Sequence, residues 1–184
     1  MNIPNLLTLL RIALIPVFVP LFYLPVNWAY QACALVFAIA AFTDLVDGWL
    51  ARRLGQVSSL GAFLDPVADK LMVATALVLL VQRDPEPWMA IPALVIIGRE
   101  ITISALREWM AELGERTQVA VSQVGKFKTT AQMLAIFLLI YQAPIGNFPT
   151  YTVGYVLLYV ATLLTLWSMV VYLQAAWPAL TRGK

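Results

Sequence analysis

The chain has no histidine and a single cysteine, and charged residues fill only 12% of its 184 positions. Without histidine, proton transfer falls to carboxylates, lysine, tyrosine or groups polarised by a metal. Cys33 stands alone in an apolar run, so no internal disulfide can form. A net charge of +2 gives no basic patch of the kind that holds nucleic acid. No internal repeat or low-complexity tract is present. The opening MNIPNLLTLLRIALIPVFVPLFYL also lacks a positive leader and a small-residue cleavage site, and reads as a retained span rather than a signal peptide.

Apolar residues take the space that charge leaves empty. The chain is 61% hydrophobic with a mean hydropathy of +0.82, whereas soluble domains are about half apolar and about a quarter charged. Runs near bilayer length recur at 6–24, 29–52, 59–82, 88–113, 126–142 and 151–176. Between them lie LPVNW, RLGQVSS, RDPEP, GERTQVAVSQVG and QAPIGNFPT, rich in turn formers. The pattern predicts an all-α polytopic membrane protein of six transmembrane helices, with 1–184 as one domain. The first eleven residues set Asn2, Asn5, Thr8 and Arg11 among Ile and Leu, and read as an N-terminal amphipathic segment at the interface. An even number of spans puts the termini on one side. That side collects every Lys and Arg except Arg83 and the mid-span Arg99, which marks it as cytoplasmic.

In such a chain carboxylates are costly, yet residues 42–70, FTDLVDGWLARRLGQVSSLGAFLDPVADK, hold Asp44, Asp47, Asp65 and Asp69. Asp44 and Asp47 lie three apart on a helical stripe that continues through Gly48 and Ala51. Gly61, Asp65 and Asp69 are spaced by four on another. If the second and third spans pack antiparallel across the short 53–58 link, two carboxylate pairs face each other. Oxygen donors converging without His or Cys suit Mg²⁺ or Mn²⁺, and two such ions suit displacement at phosphorus. The small residues leave room for a ligand against the backbone, or equally for close helix packing. Arg52 ends the first stripe with a fork that fits phosphate. Taken singly, Asp44 or Asp47 reads as an interfacial charge, and Asp65 before Pro66 as a helix N-cap. Intramembrane carboxylates also line ion paths, so a transporter is the alternative class.

The stretch reads D-x-x-D-G-x-x-A-R, eight residues, then G-x-x-x-D-x-x-x-D. It resembles the complete signature of the CDP-alcohol phosphotransferase family at Asp44, Asp47, Gly48, Ala51, Arg52, Gly61, Asp65 and Asp69. NIPNLLTLLRI, GREITISALREWMAELG and VGKFKTTAQM are further similar to bacterial members that use glycerol 3-phosphate as acceptor. The resemblance implies a six-helix homodimer of the bacterial inner membrane that binds CDP-diacylglycerol and two divalent cations, Mg²⁺ or Mn²⁺, at its cytoplasmic end. It implies that Asp44, Asp47, Asp65 and Asp69 are metal ligands and that Asp69 is also the general base. By the same similarity Gly48, Ala51, Arg52, Ser58 and Gly61 line the nucleotide pocket, and Asn5 and Thr8 contact the lipid donor's head group.

The acceptor, as a phosphate dianion, needs cations of its own. Arg99 and Arg107, eight apart, share a face of the fourth span, and Lys126 opens the fifth. These are candidate acceptor-phosphate ligands. Against that, Arg99 with Glu100 reads equally as a structural ion pair, and Lys126 and Lys128 as topogenic charges. Glu108, Glu112, Glu115 and Arg116 read as a solvated helix face, and the tryptophans as interface anchors. Within the same enzyme class, inositol phosphate, serine or a phospholipid are alternative acceptors.

Overall fold

The computed structural model describes residues 3–54, 59–112 and 123–182; within these, the side chains of 3–4, 45, 48–52, 54, 59–60, 62, 123–124, 126 and 178–182 lie outside the description. The described residues form helices α1 (Ile3–Phe22), α2 (Ala29–Leu54), α3 (Ser59–Arg83), α4 (Pro87–Glu112), α5 (Gln123–Tyr141) and α6 (Thr150–Arg182). These are the expected six, within a few residues at each end except the C-terminus of α6. No strand occurs among the described residues beyond one isolated bridge, Ile145 to Phe148, in the α5–α6 loop. Helix is the form that closes every backbone hydrogen bond within its own segment, as the bilayer interior demands. Pro16, Pro20, Pro66 and Pro92 all sit inside helices, a placement that packed neighbours tolerate in a membrane bundle.

Among the described residues, three helices, in α1, α4 and α6, are long and apolar enough to cross a bilayer by composition alone, and α2 and α5 hold the apolar stretches Ala29–Asp44 and Phe127–Tyr141. Phe18, Phe37, Leu77, Leu80, Met89, Ile136, Leu139 and Leu158, contributed by all six helices, are fully buried in one core. Leu6, Leu35, Phe63, Leu94 and Trp167 point outward, where lipid tails are the natural neighbours. The chain is thus a polytopic helical membrane protein.

One expectation is corrected. Residues 3–11 make no separate interfacial helix; they are the opening turns of continuous α1. Its polar stripe faces inward, with Asn5, Thr8 and Arg11 buried while Leu6 and Leu10 are exposed. In lipid the outside of a bundle is the apolar side, so polar residues turn in. α1 lies against both α2 and α3, and α2 and α3 also touch each other. Elsewhere α5 packs on α6, where a Cβ on Gly154 would stand 2.9 Å from Leu139 Cγ. Only glycine allows that approach.

Candidate active site

The polar ends of α1, α2, α3, α4 and α5 meet at one end of the bundle, and α1 supplies its centre. Arg11 Nη1 donates to Asp44 Oδ1 at 2.6 Å, and Nη2 donates to Asp47 Oδ2. Three residues earlier, on the same stripe, Thr8 Oγ1 donates to Asp65 Oδ1 at 2.5 Å. Arg11 therefore grips α2 while Thr8 grips α3. Arg11 and Thr8 are fully buried and Asp47 nearly so, whereas the Asp44 side chain is 38% exposed. Asp69, half-buried on α3, feels the charges of Asp44, Glu100, Arg11 and Lys70. Asp65 lies well inside α3, which begins at Ser59, so the N-cap reading is excluded.

A second polar group adjoins the first. Glu100 Oε1 accepts from Arg99 Nη1 at 2.8 Å and from Lys128 Nζ at 3.0 Å, tying α4 to α5. Arg99 Nη2 reaches Ser168 Oγ on α6 at 3.3 Å. The guanidinium groups of Arg99 and Arg107 stand 5.6 and 6.0 Å from the Tyr172 ring centroid, so the two do share a face, with one ring beneath both. Lys70 on α3 donates to Ser104 on α4, whose hydroxyl donates to the Glu100 carbonyl at 2.5 Å. Glu108 and Glu112 are exposed, as a solvated face should be.

The structure thus gathers Asn5, Thr8, Asp44, Asp47, Asp65 and Asp69 at one end, with Gly61 buried on α3, and sets Arg99 and Arg107 on α4. Ser58 and the side chains at Gly48, Ala51, Arg52 and Lys126 lie outside the described residues, as does Arg116. Sequence reasoning missed Arg11 as the partner of Asp44 and Asp47. Its signal was the spacing of Asn5, Thr8 and Arg11 in threes, read as facing water. Ser104, Ser168 and Tyr172 carried no local signal.

The donor chemistry of the acid cluster is oxygen throughout and fits a hard divalent cation. Yet among the described residues no three acidic groups stand close enough to share one ion. The Arg11 guanidinium lies between Asp44 and Asp47 instead.

Residues 1–167 match the model of the CDP-alcohol phosphatidyltransferase family, and the chain belongs to that family. Divalent metal is in general use there. Among its relatives, a Pseudomonas fluorescens protein is 59% identical over 181 residues, 98% of this chain and 92% of the relative. Proteins of Shigella flexneri serotype 5b and Escherichia coli K12 are 57% and 56% identical, each over 95% of this chain and 94% of their own length. All three are named CDP-diacylglycerol–glycerol-3-phosphate 3-phosphatidyltransferase.

Proposed function

We propose that the protein is a single-domain enzyme that transfers the phosphatidyl group of CDP-diacylglycerol to sn-glycerol 3-phosphate, forming phosphatidylglycerophosphate and CMP. The observation that carries this reading is the meeting of Asp44, Asp47, Asp65 and Asp69 at one end of a membrane bundle. Near-full-length similarity to phosphatidyltransferases of that name supports the acceptor. One core drawn from all six helices supports a single domain. The surplus of basic residues at the acid-cluster end supports a cytoplasmic site in the bacterial inner membrane. The family resemblance supports a homodimer.

Asp44, Asp47, Asp65 and Asp69 would hold two Mg²⁺ or Mn²⁺ ions, which supply charge neutralisation at the diphosphate and at the leaving CMP. The acceptor's 1-hydroxyl oxygen bonds to the phosphorus bearing diacylglycerol while the bond from that phosphorus to the CMP oxygen breaks. Asp69 takes the hydroxyl proton, a role open to a carboxylate beside the reacting oxygen. Gly48, Ala51, Arg52, Ser58 and Gly61 form the nucleotide wall, and Asn5 and Thr8 border the lipid donor's phosphates. Arg99, Arg107 and Lys126 bind the acceptor's phosphate, with Tyr172 as the floor under both arginines. Holding donor and acceptor together supplies much of the remaining rate.

The test is CMP release from CDP-diacylglycerol by purified protein in lipid nanodiscs, across a panel of glycerol 3-phosphate, inositol phosphate and serine. Release that depends on glycerol 3-phosphate supports the proposal. Preference for another acceptor moves the reading within the class, and no release with any acceptor sinks it.

A further inference from the structure

Arg11 is fully buried, carries a permanent positive charge and binds two of the carboxylates assigned above to metal. We infer that Arg11 is the internal cation of the metal-free protein: it holds Asp44 and Asp47 together until a divalent ion displaces it. The inference rests on the reading of these aspartates as metal ligands.

Four observations carry it. The guanidinium spends one Nη on each aspartate, so it uses the oxygens that an ion would need. Among the described residues no three acidic groups stand close enough to share one ion. Its Nε is buried and finds no partner among the described residues. A guanidinium built into a permanent structural bridge normally has its fork satisfied, because a buried unpaired donor is costly. Finally, Arg11 is on α1 and its partners on α2, so the two can separate without strain inside either helix.

The physical need is plain. Asp44 and Asp47 are i and i+3 neighbours, and Asp69 is close enough to act on Asp44. Such a cluster repels itself in a weakly screened interior unless a cation lies among its members. A guanidinium meets that need from within the chain. An incoming dication meets it better and competes with the guanidinium for the same carboxylate oxygens. Release of Arg11 frees a phosphate-binding fork beside the ions, where the donor's diphosphate would arrive. Metal arrival and the setting of α1 are then one event.

The two roles open to Arg11 differ in the sign of their effect. If it supports the metal site, its removal weakens metal binding; if it competes for the site, removal strengthens binding. The experiment measures Mn²⁺ affinity by electron paramagnetic resonance on the full chain in detergent, beside thermal unfolding in EDTA and in excess Mn²⁺. Arg11→Met, which keeps the apolar stem and loses the charge, is expected to bind Mn²⁺ about tenfold or more tighter than wild type. It should melt lower than wild type in EDTA and recover most of that deficit in Mn²⁺. Should Arg11→Met not accumulate, Arg11→Lys keeps the charge but lacks the fork that spans both carboxylates, and should bind Mn²⁺ tighter by roughly threefold. Equal or weaker Mn²⁺ binding in the variant, or a deficit that Mn²⁺ leaves in place, overturns the displacement and spares the metal reading. Absence of Mn²⁺ binding in wild type and variant alike overturns both.

Discussion

The two ends of the bundle each hold arginine beside aspartate, and they use them in opposite ways. At the acid-cluster end, Arg11 bonds directly to Asp44 and Asp47. At the far end, adjacent Arg83 and Asp84 make no ion pair among the described residues. Arg83 lies over the rings of Phe22 and Tyr30, at 5.7 and 5.2 Å, and donates to the Leu139 carbonyl at 2.8 Å. Asp84 accepts hydroxyls from Tyr151 and Tyr155, both at 2.6 Å. Neutral phenols and ring faces offer nothing that an incoming ion could replace, so this end is a clamp joining α3 to α6. The guanidinium between two carboxylates covers oxygens that a divalent ion would need under the proposed function, so exchange there would serve catalysis. On that proposal the kind of partner, more than the charge itself, separates a structural acid from a working one.

The largest expected effect is complete and belongs to one end. Chelation by EDTA should stop CMP release, and Mg²⁺ or Mn²⁺ should restore it. Turnover that persists in excess chelator removes the metal from the acid-cluster end and dissolves the contrast. Next comes Asp69→Asn, which keeps a coordinating oxygen but cannot take a proton. It should turn over at least about 10²-fold slower, near 2.7 kcal/mol of barrier, at every metal concentration. Asp44→Asn should be partly rescued by high metal, and Asp84→Asn should keep turnover within a few-fold of wild type. Titration of CMP release against Mg²⁺ for all three variants reads these outcomes together. If Asp69→Asn recovers as fully as Asp44→Asn, the proton acceptor lies elsewhere.

Smaller effects sharpen the comparison. Arg107→Ala should raise the KM for glycerol 3-phosphate roughly tenfold or more, the loss of a charge-assisted phosphate contact of about 1.5–3 kcal/mol, with little change for CDP-diacylglycerol. Equal effects on both substrates would return Arg107 to a topogenic role. The smallest change belongs to the clamp. The double variant Tyr151→Phe, Tyr155→Phe should lose only about 1 kcal/mol of stability, because water screens this partly exposed group. Hydrogen bonds from Tyr151 and then Tyr155 hold the Asp84 carboxyl below its ordinary range. Because the folded value is the lower one, this stabilisation is complete above the unfolded value of about 4 and fades as pH falls through the folded value. Thermal unfolding in detergent should therefore decline below about pH 4 in wild type and less steeply in the double variant. A decline that the variant shares in full assigns the acid sensitivity to other carboxylates.

Legibility in the sequence followed the reach of each interaction. The helices were readable because apolar runs and their Pro- and Gly-rich breaks are local. The Asp44–Asp47 and Asp65–Asp69 stripes were readable because helical spacing is also local. The position of α1 between α2 and α3 was not, since closeness along the chain says nothing about which helix fills a gap. Asn5, Thr8 and Arg11 were seen as a stripe but aimed the wrong way, because the rule that polar faces meet water reverses inside a bilayer. The clamp joins Asp84 to residues 67 and 71 positions away and has no spacing to betray it.

The depth of the aspartates along α2 and α3 has a consequence for the membrane itself. Asp44 lies only about 22 Å along α2 from Ala29, and Asp65 about 27 Å along α3 from Arg83, at 1.5 Å per residue, against a hydrocarbon core of about 30 Å. Lipid beside these helices thins, or its head groups sink, to bring polar atoms level with the carboxylates. The phosphates of a lipid donor are thereby lowered toward the carboxylates while its acyl chains stay in oil. Bilayer thickness becomes a reaction variable, and longer-chain lipids should slow an enzyme whose chemistry they never touch.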